Sequence, residues 1–72
     1  MATALLTLPL RMEIGTTTTA EGLHLFRGEV EQGTELIAAT EWTVHPAEAI
    51  GHGHDLLRVV RTWREFTEAE AA

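Results

Sequence analysis

The sequence predicts a small α+β protein: a three-stranded antiparallel β-meander packed against one C-terminal helix, in the order βββα. Three observations carry that prediction. Residues 6–14 alternate strictly between apolar and polar, the period of a strand with one buried face. Two further alternating segments follow, separated by short Gly-containing turns. Residues 55–66, DLLRVVRTWREF, then place Leu56, Val59, Val60, Trp63 and Phe66 at spacings of three and four, which lines one face of a helix. With 72 residues, the chain is read as one domain over 1–72.

The first strand is expected over about 5–14. Leu6, Leu8, Leu10, Met12 and Ile14 point to one side, and Pro9, which cannot donate a ladder hydrogen bond, suits an edge. Gly15 and the four threonines 16–19 are read as ending it and, with 20–22, as forming the hairpin connection. A second strand is expected over about 23–31. It puts Phe26 and Val30 on one face, and Leu23, Leu25, Arg27, Glu29 and Glu31 on the other. After a Gln-Gly-Thr turn comes a third strand, about 36–44. Leu36, Ala38, Trp42 and Val44 share its inner face, with Ile37, Ala39, Glu41 and Thr43 opposite. Pro46 suits a first helical turn and Glu48 its positive end. Gly51 and Gly53 weaken that turn, so the main helix is placed at about 54–68 with Asp55 as N-cap, the alternative being a kinked helix from 47. The predicted core is Leu8, Leu10, Met12, Phe26, Val30, Trp42, Leu56, Val60 and Trp63, and Trp63→Ala is expected to cost about 3–5 kcal/mol.

Composition removes several functions. There is no Cys, Ser, Tyr, Lys or Asn. Disulfide staples, Ser and Cys nucleophiles, a Schiff-base Lys and a Tyr proton donor are therefore out of reach, and the chain reads as a non-enzyme that requires no cofactor. Missing Lys, Asn and Tyr, with their A/T-rich codons, point to a GC-rich genome such as that of an actinobacterium or its phage. The net charge of −6 disfavours nucleic acid as a partner and suits a basic protein surface. No basic residue precedes the apolar start, so no signal peptide is read, and no run is long enough to span a membrane. The expected location is the cytoplasm or a virion assembled there.

Two clusters attract chemistry. His45, His52, His54 and Asp55 could surround a Zn²⁺ ion if Gly51 and Gly53 let the segment loop, although the spacing matches no structural zinc motif. Arg58, Arg61 and Arg64 make a basic stripe, read as helix-surface pairs with Asp55, Glu65 and Glu68. The feature that points most directly to function is the sheet's second face. It bears Leu23, Leu25 and Ile37 with no helix to cover them, beside an edge strand that contributes Leu6 and Leu8. A core this small is marginal by itself, so the expected function is protein–protein interaction or assembly, as a homo-oligomer or as a subunit of a larger particle such as a phage virion. The rivals are an acidic inhibitor of a host enzyme with a basic groove, and a small His-based metal-binding protein.

Overall fold

A computed structural model describes residues 8–71, with side chains through residue 68. The chain forms β1 (Leu10–Thr18), β2 (His24–Gln32), β3 (Glu35–Ala39) and one helix, α1 (Pro46–Ala71). The strands make a single antiparallel sheet in the order β1-β2-β3. This is the βββα architecture predicted, with different boundaries. Strand positions expected at 5–7 lie outside the described residues, and Leu6 with them.

β1 continues three residues past Gly15, because Thr16, Thr17 and Thr18 pair with Phe26, Leu25 and His24. β-branched side chains favour the extended backbone, so only the last threonine enters the turn. There Thr19 closes the hairpin: its carbonyl accepts from Gly22 N at 2.9 Å, its N–H donates to Leu23 O at 2.9 Å, and its Oγ1 accepts from Leu23 N at 3.1 Å. Gly22 (φ 91°) and Gly33 (φ 63°) take the left-handed conformations that the two turns require.

The third strand departs most from its predicted pattern. Val30 pairs with Ala38 but Glu31 pairs with Leu36, so a bulge absorbs one residue there. A second irregularity follows: Glu29 pairs with Ala39, whereas Phe26 bridges Thr43, four residues on one side against three on the other. Each extra residue inverts the side on which the following side chains emerge. Leu36 therefore sits level with Glu31, on the face away from the helix. Trp42 likewise emerges beside Arg27, whose guanidinium carbon lies 4.5 Å from its ring centroid. Neither belongs to the inner face where strict alternation put it. Thr40 mends the ladder at the second irregularity. Its backbone N–H donates to Gly28 O at 2.9 Å, and its Oγ1 accepts from Gly28 N at 2.9 Å.

α1 begins at Pro46, eight positions before the predicted start. His45 O accepts from Glu48 N and Ala49 N, both at 3.1 Å. Thr43 Oγ1 accepts from His45 N at 3.1 Å and donates to Glu48 Oε2 at 3.0 Å, tying the sheet bridge to the first helical turn. The helix runs on through Gly51 and Gly53 without a break. Gly53 is what lets it approach the sheet. A Cβ on Gly53 would stand 2.8 Å from Met12 Sδ and 3.0 Å from Gly28 Cα, and one on Gly28 would collide with Gly53 Cα and lie 3.0 Å from Ala49 O. Val30 and Ala49 are wholly buried there, joined by Gly28, Gly53 and Gln32. The core is thus a narrow glycine-lined crossing of helix over sheet. Of the predicted core, Val30 alone is fully buried, and Leu8, Trp42 and Trp63 are exposed.

Candidate interaction surface

Twenty-six helical residues span about 39 Å at 1.5 Å each, against roughly 30 Å for each nine-residue strand. The molecule measures 49 × 22 × 14 Å with a Cα radius of gyration of 14.3 Å, where a compact chain of this length would have about 11 Å. Ala49, Gly53, Leu56 and Val60 recur at spacings of three and four and turn toward the sheet. Val59 and Phe66 lie roughly 100° further round the helix and Trp63 about half that; Val59, Trp63 and Phe66 are 63%, 64% and 63% exposed. With Arg58 and Thr62 they line an open depression of about 430 Å³. The wide apolar stripe read in the sequence is real, but the sheet covers one flank of it and leaves both large aromatic side chains of the helix in water.

Arg58 stands at the rim of this depression, held by Asp55 Oδ1 at 2.9 Å across one helical turn. Arg61 is exposed and Arg64 half-buried. The pairing of Arg58 with Asp55 expected from sequence is formed. Thr67 Oγ1 donates to Trp63 O at 2.9 Å, satisfying a carbonyl on the same stretch.

The sheet face away from the helix differs in character. Cross-strand pairing sets Arg11 opposite Glu31 and Glu13 opposite Glu29. Arg11 Nη2 donates to Glu31 Oε1 at 2.9 Å and Arg27 Nε to Glu29 Oε2 at 2.9 Å, while Arg11 lies 3.8 Å from Glu13. The Glu29 carboxylate lies over Gly15. Glu13 shares a hydrogen bond with Glu31, which, with the charge of Glu31, holds its carboxyl above the ordinary value of 4.5 against the opposing pull of Arg11. A lattice of three carboxylates and two guanidiniums therefore covers the middle of this face.

The residues proposed from sequence as an interface are dispersed by the fold. Leu23 is exposed beside the β1–β2 turn, and Leu25 is half-buried opposite Thr17. Ile37, half-buried, is the extra residue of the β3 bulge. Leu8 is exposed at the other end of β2, where its carbonyl accepts from Gln32 Nε2 at 2.9 Å and its side chain approaches Gly33. Leu6 is outside the described residues. Sequence reasoning missed the bare flank because it assigned the whole helical stripe to the core. The available signal was the apolar content of that stretch, since six apolar residues within eleven are more than a three-stranded sheet needs to cover.

The metal alternative required a loop at Gly51–Gly53, and both glycines are helical. Two residues apart on a helix, His52 and His54 diverge by about 200°, and His45 caps the helix through its backbone. Among the described residues, no group of three or more His, Asp or Glu side chains could hold a metal ion. Nor is any described helix long and apolar enough to cross a membrane. No family model, curated protein or solved structure matches the chain.

Proposed function

We propose that this protein is a non-enzymatic assembly or interaction subunit that works through contact with other protein chains, in the cytoplasm or within a particle such as a virion assembled there. The observation that carries the reading is the bare flank of α1, with Val59, Trp63 and Phe66 exposed around one depression. Two neighbouring aromatics left in water on a rigid helix are the usual anchors of protein interfaces. The elongated shape and thin core support the same reading, because a second chain would supply the apolar cover that this fold lacks.

Site-specific photo-crosslinking in the native host tests it. A photoreactive phenylalanine analogue in place of Phe66 should give a discrete protein adduct, while the same group at Glu21, exposed in the β1–β2 turn, should not. If neither position yields an adduct, the reading fails.

A further inference from the structure

We infer that the outer edge of β1 pairs with the same edge of a second copy of this chain, antiparallel about a two-fold axis at Met12, joining two sheets into one of six strands. This surface lies apart from the flank of α1, and it adds a partner and a register to the interaction reading above. The argument starts from the main-chain groups that the fold leaves unbonded. On β2, Phe26 exchanges hydrogen bonds with Thr43 at 2.7 and 2.8 Å, and Gly28 O accepts from Thr40 N at 2.9 Å. The even-numbered residues of β2 therefore bond toward β3 and the odd-numbered ones toward β1. The register partners of those odd-numbered residues, Arg11, Glu13, Gly15 and Thr17, bond inward. Leu10, Met12, Ile14, Thr16 and Thr18 are left with N–H and C=O groups directed outward, and among the described residues β1 is an end strand of the sheet.

The two edges of the sheet are not equally protected. β3 is five residues long and bulged, with a second irregularity after it, and short or irregular edges resist the addition of another strand. β1 offers nine residues in unbroken register. Pro9 gives it no cover. Continuing the same alternation, its odd-numbered place turns the missing donor toward β2 and away from the outer edge.

The side chains select the partner and the register. Arg11 and Glu13 stand on the charged face, whereas Met12 points to the helix side, against Gly53. Outward bonding requires even-numbered residues to face even-numbered ones across the axis. With the axis at Met12, Leu10 faces the partner's Ile14, Met12 faces its own equivalent, and Arg11 faces the partner's Glu13, twice by symmetry. Arg11 and the partner's Glu13 form a non-hydrogen-bonded pair, the kind whose side chains stand closest. Glu13 is also the carboxylate with the weakest cation of its own. Glu29 has Arg27 at 2.9 Å and Glu31 has Arg11 at 2.9 Å, but Glu13 has Arg11 at 3.8 Å. An axis at Glu13 would set two carboxylates together, and an axis at Arg11 two guanidiniums. An axis at Ile14 overlaps all nine residues, yet it would face Leu10 and Met12 with threonines and leave Glu13 opposite Gly15.

Strand addition draws its affinity from main-chain hydrogen bonds more than from apolar area. Against it stands the net charge of −6 on each copy, screened beyond about 8 Å at physiological ionic strength. The dimer is therefore a weak one, and dilute protein is monomeric.

Light scattering on the untagged protein should show a mass rising from 7.9 kDa toward twice that value with concentration. Glu13→Arg sets like charges across the axis, while within its own chain it faces Glu29 and adjoins Glu31, so the monomer keeps its fold. It should raise the dimer dissociation constant at least about tenfold, since two attractive cross-strand pairs become repulsive, and Arg11→Glu should do the same. Mixed in equal amounts, the two variants recreate both Arg–Glu pairs, and the mass should return to the wild-type level. A wild type that stays monomeric to near-millimolar concentration would overturn the second copy altogether. Single variants that dimerise as well as wild type, or a mixture that stays monomeric, would overturn the register at Met12. If the pure chain is monomeric while Phe66 still gives its crosslink to another protein, this inference falls and the interaction reading stands.

Discussion

The two ends of α1 differ in sequence, and each buries the opposite of what its composition suggests. From Pro46 to Gly53 the helix is poor in apolar bulk, holding Ala49, Ile50 and two glycines, yet it is the part that meets the sheet most closely. From Leu56 to Phe66 it carries most of the helix's large apolar side chains, and Val59, Trp63 and Phe66 stand in water. Burial here follows the closeness of approach that the backbone permits. Gly28 and Gly53 let helix and sheet meet almost main chain to main chain, and with Ala49 they leave no room beside the crossing for a tryptophan.

The sharpest way to break this contrast is at the crossing. Gly28→Ala would push a methyl group into Gly53 Cα and toward Ala49 O. These are backbone atoms that cannot rotate aside, so the helix must lift. The expected cost is about 3 kcal/mol or more, most of the margin of a domain this small, read as a collapse of the urea midpoint. Two residues before Gly53 the sign reverses. Gly51 has nothing within 4 Å of where a Cβ would stand, so Gly51→Ala should stabilise by about 0.5–1 kcal/mol through helix propensity alone. A Gly28→Ala variant as stable as wild type would mean that the close crossing is not what holds the helix down.

These glycines also mark what the sequence could and could not reveal. Alternation over 6–14 and about 23–31 and the three-four spacing of 56–66 made the βββα order legible, because local periodicity reports which side of an element is buried. The same rule failed at Leu36 and Trp42. Two single-residue irregularities invert the side-chain parity of the third segment, and no local pattern announces them. It failed again at Gly51 and Gly53. Their helix-weakening propensity was evident, but the packing at Gly28 that overrides it lies 25 positions away in the sequence. The candidate surface was half legible: an uncovered apolar area was expected, and it was assigned to the sheet rather than to the flank of the helix.

At the bare end of the helix the expectation is correspondingly small. Trp63→Ala, expected from sequence to cost about 3–5 kcal/mol as a core deletion, should instead cost less than about 1 kcal/mol in dilute, monomeric protein. Most of the indole is already hydrated, and little apolar area is lost. Were copies of the chain to cover this flank, the cost would grow with protein concentration by mass action. Denaturation curves at two concentrations separate the two contributions. A large, concentration-independent loss would place Trp63 back in the monomer's core.

The charged face of the sheet sharpens the contrast from the other side, since it too lies in water but is self-sufficient. Its weak point is the Glu13–Glu31 pair. The hydrogen bond between these carboxyls and the charge of Glu31 raise the Glu13 carboxyl above 4.5 in the folded protein, with Arg11 opposing. A carboxyl whose value is raised by folding contributes stability only while it is protonated. That contribution is complete below about 4.5, the ordinary carboxylate value, and is lost as pH rises through the raised folded value. At neutral pH the ionised pair is therefore a small penalty, reduced by solvent at this exposed position. Glu13→Gln removes it, so the variant should melt slightly above wild type at pH 7, and the difference should shrink as the pH is lowered through the raised value toward 4.5. The comparison of variant with wild type cancels the titration of the other carboxylates, which acts on both proteins alike. A melting difference that is constant with pH would show that Glu13 and Glu31 do not share a proton. The face would then be organised by the Arg11–Glu31 and Arg27–Glu29 pairs alone, which balance their own charges, whereas the flank of α1 leaves its apolar side chains in water.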